Sequence, residues 1–504
     1  MSVQLGKVVS YVLLERFGPL VERVGMYLFE YGTNPLFCIK KFTDLPIPKI
    51  KESLAILVKY QLVTFAPNKN DCVANYTLQP NKVLLHLRYP KYINMIKKKF
   101  GDEAEVILEE ILQKSYLTGS EVILLAYEKL KKDNNPNVTL PALRDKFMSL
   151  ITAKYLIRLP YNESDDRAVP NLVVKDQELH VTPPIDIKEL TANPQGGNSK
   201  DKDIYWTVNF DRFHQDMRDK ILVNAFTQKF DENAGELVKL LLRQMYIRTE
   251  PWTDISNPVP LLEIKDLVRK QSSLKLLNTF FDQYVNVIEQ DSSNLIRKSG
   301  EASGGSFQIF LKEAFIQFAW EIVEQSVLEK FDSKAARIFR LVKLKKYIDS
   351  DLIQQQAMIP AKMAKKLTFQ LLEENFLQIQ EIKKASTGTG PHKSFMLFHI
   401  NLENVVRMLL ELCYKTLYNI MSRRDHERTV NKRIIDKKQR VDTISISMRS
   451  QGATEEQLAD IEDMITPPER EILENIDRMM KRLNMAELEI DDTIFLLEMY
   501  LVYQ

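Results

Sequence analysis

The sequence predicts a mainly α-helical chain with small β-hairpins, and three observations predict it. A proline-opened block ending in paired strands recurs, its apolar residues follow helical 3-and-4 spacing, and residues 402–451 contain neither glycine nor proline. The clearest copies of the block run over 48–65, 141–159 and 360–382. In the first, Ile50, Leu54 and Leu57 lead into Leu62 and Val63; in the second, Leu143, Phe147 and Leu150 lead into Leu156 and Ile157. In the third, Met363, Leu367 and Leu371 lead into Phe376 and Leu377. Proline in a first helical turn loses nothing, because its missing N–H would be unpaired there anyway. The spacing gives each helix one apolar stripe to bury, and the strand, polar loop and returning strand make a hairpin beside it. A helical pair followed by a two-stranded wing is the pattern of a winged helix. The expectation is therefore four tandem extended winged-helix domains followed by an antiparallel coiled-coil hairpin.

The elements follow in order. Block 1–89 holds helices through 5–16 and 20–31, the Pro48 helix, and strands near 62–66 and 73–78 around the loop 67–71. Block 90–209 opens after Pro90 with helices through 106–117 and 120–130, then the Pro141 helix and a strand at 155–159. Its wing is enlarged: 160–203 is rich in proline and polar residues, buries too little apolar surface to order fully, and is expected to be mostly mobile. The alternating run 204–208 is expected to close that wing. Block 210–312 has helices at 211–230 and 234–247, a recognition helix at 264–284 without an opening proline, and strands at 285–288 and 307–311. Its wing tip is expected at Arg297 and Lys298, with Gly300, Gly304 and Gly305. Block 313–400 has helices at 313–330 and 335–344, then a wing around 383–391 that returns through 395–400.

Block 401–504 breaks the pattern. As one helix, 402–451 would span ~75 Å. Val430, Ile434, Val441, Ile444 and Met448 alternate by 4 and 3, with Lys437 at the missing seam position, and Gly452 ends the run. The chain returns through Ile472, Ile476, Met479, Leu483, Ala486 and Ile490, which reads as an antiparallel hairpin. One arm, 423–440, is basic and 455–463 is acidic, so part of the pairing is expected to be electrostatic.

Composition narrows the function classes. At 504 residues the chain is long enough for several domains at roughly 150 each. A net charge of +2 rules out a polycationic coat, so any nucleic-acid contact must be a local patch. Cys38, Cys72 and Cys413 are odd in number and far apart, which fits a reducing compartment. With no signal-peptide layout and no membrane-length apolar run, the expectation is a soluble nuclear or cytosolic protein with no membrane partner. The six histidines show no metal-ligand spacing, and no phosphate loop, C-x-x-C, H-E-x-x-H or G-x-S-x-G occurs. No catalytic residue, cofactor or metal is therefore expected.

Basic residues supply the candidate DNA contacts. Lys362, Lys365 and Lys366 stand at i, i+3 and i+4 and share one helix face, with Met363, Leu367 and Leu371 expected on the core face. Lys383, Lys384 and Lys393 lie in or beside the same block's wing, and Arg297 and Lys298 offer a second tip. A DNA-reading winged helix presents its helix to the groove and its wing to the backbone. The same residues also suit a solvated face or a protein-docking surface, since fold alone does not fix function. Aromatics are not interleaved with these lysines, so contact would be mainly to phosphate and salt-sensitive.

Five stretches carry a family resemblance. They are Tyr205-Trp206 with Asn209-Phe210-Asp211-Arg212-Phe213-His214, Arg337-Ile338-Phe339-Arg340-Leu341, Ala357-Met358-Ile359-Pro360-Ala361-Lys362, Met464-Ile465-Thr466-Pro467-Pro468-Glu469-Arg470, and Asp491-Asp492-Thr493-Ile494-Phe495-Leu496-Leu497-Glu498. In their order along the whole chain they resemble the winged-helix RNA polymerase III subunit often called RPC-three. The resemblance implies a non-catalytic subunit in a heterotrimer with two smaller subunits. It implies a seat on the largest polymerase III subunit at the clamp, promoter DNA near the melted region as a partner, and the nucleus as location. The products would be transfer RNA, small ribosomal RNA and other short untranslated RNAs. The rival readings are a winged-helix scaffold of another large assembly without DNA contact, and a free-standing DNA-binding regulator. Near-neutral charge and the large coiled coil count against the regulator.

Overall fold

The computed structural model describes residues 2–68, 72–132, 139–162, 169–170, 172–183, 185, 201, 203–271, 275–291, 293–300, 305–383, 394–450, 457 and 464–504. The chain is mainly helical, with small antiparallel sheets. It divides into two compact units, residues 1–216 with 414–491 and residues 217–413 with 492–504.

In the first unit, α1 (Val3–Phe17) and α2 (Pro19–Tyr31) meet at Gly18, whose φ of 87° favours glycine. After β1 (Asn34–Pro35) come α3 (Leu36–Thr43) and α4 (Ile47–Lys59). The latter buries Ile50, Leu54 and Leu57, the stripe read from spacing. Strands β2 (Val63–Pro67) and β3 (Ala74–Leu78) then pair, Val63 opposite Leu78, with β1 on the far edge of β3. Helix α5 (Pro80–Phe100) departs from expectation, because Pro90 lies inside it and does not open a new element. A proline removes one helical hydrogen bond, but Leu84, Arg88, Tyr92 and Ile96 are buried on both sides of it and hold the helix together.

Next come α6 (Asp102–Lys114), β4 (Leu117–Thr118), α7 (Gly119–Lys132), α8 (Leu140–Thr152) and β5 (Leu156–Arg158). Helix α8 buries Leu143, Phe147 and Leu150 as expected. Two short strands, β6 (Tyr161–Asn162) and β7 (Leu172–Val173), precede β8 (Tyr205–Val208). The expected closing strand forms: β8 lies between β4 and β5, with Thr207 opposite Ile157. Its Trp206 is fully buried, edge-on to Phe147 with ring centroids 6.0 Å apart. Much of the expected mobile stretch 160–203 lies outside the described residues. Asp201, within it, is buried and accepts bonds from the Ser120 N–H at 2.7 Å and its hydroxyl at 2.8 Å. Helix α9 (Phe210–Lys229) follows.

The second unit contains α10 (Glu232–Arg248), β9 (Val259–Pro260), α11 (Leu261–Gln271), α12 (Lys275–Thr279), α13 (Phe281–Glu289), β10 (Ile296–Gly300) and β11 (Ser306–Ile309). The expected strand at 285–288 is helix. Phe281, Val285 and Ile288 are buried at 4-and-3 spacing on α13, which outweighs the short alternation Val-Asn-Val. The expected long helix 264–284 is three pieces, and the wing strand begins only at Ile296. Then follow α14 (Leu311–Phe331), α15 (Ser333–Lys345), α16 (Ser350–Ala357), α17 (Ala361–Glu373) and the hairpin of β12 (Gln378–Lys383) with β13 (Ser394–His399).

The C-terminal helices are α18 (Leu402–Val430), α19 (Lys432–Ser450) and α20 (Pro467–Val502). The expected unbroken helix 402–451 is interrupted at Asn431, and Gly452 lies outside the described residues. Pairing runs antiparallel: Arg424 bonds Glu487, while Lys437, further along, bonds Glu469 at 2.6 Å. The expected seam forms in part, with Ile434, Met448, Leu483, Ala486 and Ile490 half-buried. Val441, Leu473 and Ile476 are buried, whereas Val430, Ile444, Ile472 and Met479 face outward. The acidic stretch 455–463 lies outside the described residues apart from Gln457, and basic residues pair instead with Glu469, Asp477 and Glu487 of α20.

Candidate nucleic-acid interface

Helix α17 is set by the turn before it. Arg337 donates to the Ala357 carbonyl at 3.3 Å, and the Pro360 carbonyl accepts from the N–H groups of Met363 and Ala364, both at 2.9 Å. The buried stripe is Ala364, Thr368 and Leu371, with the Thr368 hydroxyl returned to the Ala364 carbonyl at 2.8 Å. This corrects the expected core face. Met363 sits one position off the stripe and is 39 % exposed, and Leu367 is half-buried.

Lys362, Lys365 and Lys366 are exposed together on α17, as expected, and none has an acidic partner among the described residues. Phe369, three residues beyond Lys366, is exposed on the same side. The other sites differ. Arg297 and Lys298 lie within β10, not at a tip, in register with Gln308 and Phe307. The Arg297 guanidinium rests over the Phe310 ring at 4.7 Å and lies 3.9 Å from Glu313, so part of its charge is already engaged. Lys383 ends β12; its side chain, together with Lys384 and Lys393, lies outside the described residues.

The equivalent helices of the other blocks are less suited to an anion. On α8, Lys146 donates to the Phe100 carbonyl at 2.8 Å and Arg144 pairs with Asp145 at 2.9 Å. Helix α13 presents Asp282, which pairs with Lys265 at 3.1 Å. Helix α4 also carries three exposed lysines, Lys49, Lys51 and Lys59, but with Glu52 among them. On α17 the three exposed lysines share one face and have no acid beside them on that face.

Sequence reading missed a set of buried polar clusters, several built from the five stretches quoted above. Asp491 accepts from Arg88 Nε at 2.7 Å and Lys91 Nζ at 2.8 Å, and its side chain and that of Arg88 are almost fully buried. Lys91 also donates to the Leu488 carbonyl at 2.8 Å. Tyr92 and His214 share a 3.0 Å hydrogen bond, and Asn209 donates to the Lys154 carbonyl at 2.9 Å. Burial, reinforced by Arg88, pushes the His214 imidazole down to about 4. Burial, reinforced by Arg16, does the same to His86.

In the second unit Arg218 is fully buried; it donates to the Pro251 carbonyl and the Tyr503 hydroxyl, both at 2.6 Å, and bonds Tyr246 and Asp219. Its guanidinium stacks over Trp252 at 5.1 Å. No local motif marks Arg218, whose partners are brought together only by the fold. These clusters tie together elements far apart in sequence. Among the described residues no group of three or more His, Cys, Asp or Glu side chains could hold a metal ion, and no helix is long and apolar enough to cross a membrane.

The architecture defines a tandem winged-helix protein with a helical hairpin. Comparison with known proteins narrows the class. The chain belongs to the RPC3 family of DNA-directed RNA polymerase III subunits. It is 34 % identical to the RPC3 subunit of Bos taurus, over 98 % of both chains, and 34 % identical to that of Homo sapiens with the same coverage. The Danio rerio subunit is 31 % identical over 99 % of both. Four family descriptions match in chain order. An RPC82 helix-turn-helix domain covers 7–68 and RNA polymerase III subunit RPC82 covers 170–317. A POLR3C C-terminal winged-helix domain covers 323–400 and an RPC3 helical hairpin domain covers 433–496.

Proposed function

We propose that this chain is a non-catalytic subunit of RNA polymerase III that acts, in a heterotrimer with two smaller subunits, in promoter-directed initiation and DNA opening. On this reading the trimer sits on the largest polymerase subunit at the clamp, in the nucleus, and the products are transfer RNA, small ribosomal RNA and other short untranslated RNAs. Blocks 1–89, 90–209, 210–312 and 313–400 serve as a scaffold, and 401–504 is its docking stalk. The observation that supports DNA contact is the α17 face, where Lys362, Lys365 and Lys366 stand together without acidic partners among the described residues. Such a face contacts phosphates near the melted region, so its contribution falls with salt.

A second reading, a scaffold without DNA contact, is favoured by the apolar groups beside those lysines: Met358, Met363 and Phe369 are all exposed. Charge reversal separates the two. The tagged chain and its Lys362→Glu/Lys365→Glu/Lys366→Glu variant are purified from nuclear extract and assayed for promoter-directed transcription. Polymerase III subunits are expected with both, while promoter opening and DNA crosslinking fall only in the variant. Unchanged opening and crosslinking would transfer the face to the protein-docking reading.

A further inference from the structure

Among the serines and threonines of the chain, only Thr182 and Thr466 precede a proline. Thr182 is half-buried, whereas Thr466 is exposed and stands immediately before α20, which opens on Pro467 and Pro468. Neither proline has an N–H to donate. The first hydrogen bond of this helix therefore runs from the Arg470 N–H to the Thr466 carbonyl, at 3.0 Å. A threonine before a helix ordinarily accepts from an N–H two or three places on. Two places on is Pro468, and the Thr466 hydroxyl instead donates to Glu469 Oε2 at 3.0 Å. The same carboxylate oxygen accepts from Lys437 Nζ of α19 at 2.6 Å, so hydroxyl and ammonium face one atom.

Lys437 belongs to a basic stripe. Arg433, Lys437 and Arg440 stand at i, i+4 and i+7 on one side of α19. Arg433 and Arg440 are exposed, and neither has an acidic partner among the described residues; Asp436 borders the stripe. One carboxylate matches little of that charge. A phosphate, with about −1.5 to −2 charges and three acceptor oxygens, matches more of it. We propose that Thr466 is a phosphorylation site for a proline-directed protein kinase, and that the phosphate takes Lys437 from Glu469 and meets the α19 stripe. In the transfer the γ-phosphorus of ATP bonds to Thr466 Oγ1 as its bond to the ADP oxygen breaks, and the hydroxyl proton passes to the base of the kinase. Glu469 then loses its threonine donor and faces like charge, so Lys437 exchanges partners. Entry to the kinase is cheap at this turn: Pro467 and Pro468 have no helical bond to break, which leaves the Arg470 bond and the Glu469 contacts. The proposal is independent of α17 and of any contact with nucleic acid.

The test incubates the full chain with a mitogen-activated protein kinase and Mg–ATP, and locates phosphate by tandem mass spectrometry. Phosphate is expected on Thr466, lost in Thr466→Val and kept in Thr466→Ser, which separates loss of the acceptor from loss of the fold. Phosphate on Thr182 alone, or on neither threonine, would overturn the proposal. The exchange of partners is read by phosphorus NMR of the phosphorylated chain. The second ionisation of a phosphothreonine ordinarily falls near ~6. A neighbouring cation favours the dianion, so Lys437→Gln is expected to raise that midpoint by roughly one unit over phosphorylated wild type. Arg433→Gln/Arg440→Gln should raise it by less. Lys438→Gln, whose lysine pairs with Asp477 at 3.4 Å, is expected to leave it in place. A midpoint unmoved by Lys437→Gln, or moved equally by Lys438→Gln, would overturn the assignment of Lys437 to the phosphate.

Discussion

Asp491 is the carboxylate on which Arg88 and Lys91 converge, and it shows what single residues contribute here. The two cations leave water almost entirely at Arg88, so their attraction to Asp491 mainly offsets desolvation and adds little net stability. Removing one partner is another matter. Asp491→Asn is expected to destabilise the folded chain by about 3–5 kcal/mol, because it takes a charged partner from buried Arg88 and from Lys91 at once. Urea midpoints measure this, and replacing Arg88 and Asp491 together by apolar residues should cost less than Asp491→Asn alone. Nothing near position 491 in sequence points to Arg88, so this pairing was illegible until the chain was folded. Lys362, Lys365 and Lys366 were legible because helical spacing alone puts them on one face.

At the scale of the element, the start of α20 is held by contacts that converge on Glu469. Glu469 accepts from the Thr466 N–H at 3.0 Å, the Thr466 hydroxyl at 3.0 Å and Lys437 at 2.6 Å. The Lys437 hydrogen bond, then those from Thr466, hold its carboxyl down at about 2 against an ordinary 4.5. A depressed folded value means that the contribution is present above pH 4.5 and is lost as pH falls toward 2. Glu469→Ala is expected to speed amide exchange over 466–470 at neutral pH, and wild type should approach the variant near pH 2. Hydrogen-exchange mass spectrometry reads both. Element boundaries divide along the same line of local against distant information. The stripes of α4 and α8 were readable because spacing and burial agree. Residues 285–288 were misread because four residues of apolar alternation fit either a strand or one helical turn. Burial of Phe281, outside that window, decides for helix. Met363 failed for a related reason: its neighbour Ala364 is small enough to be overlooked as a core residue, yet it carries the stripe.

On the scale of the whole molecule, acid sensitivity should collect in the first unit. His86 and His214 both lie there and are held neutral, each with its ordinary 6.5 lowered to about 4. The unfolded chain therefore binds more protons between these values, and stability present above pH 6.5 is lost as pH falls toward 4. Each histidine is expected to contribute a slope of about 1.4 kcal/mol per pH unit in that window. Histidine NMR checks the cause, since both rings should stay neutral at pH 5.5, and denaturation at pH 7, 6 and 5 checks the slope. The overall plan of repeated wings and a hairpin was legible because each copy repeats a local pattern. The division into units was not, because each unit joins residues far apart in sequence.

That interleaving sets a timetable for synthesis. The first unit takes residues 1–216 and 414–491, so the partners of Arg88 and Lys91, and the Met421 carbonyl that accepts from Tyr11, are translated long after the surfaces they cover. At roughly 5–20 residues per second the ribosome needs tens of seconds to supply them. Through that interval the nascent N-terminal blocks carry buried-type cations and apolar ridges open to solvent. The growing chain is thus an obvious client for holding chaperones until its last helix emerges, and the quantity of finished subunit in a cell would be governed by that wait as much as by the stability of the end product.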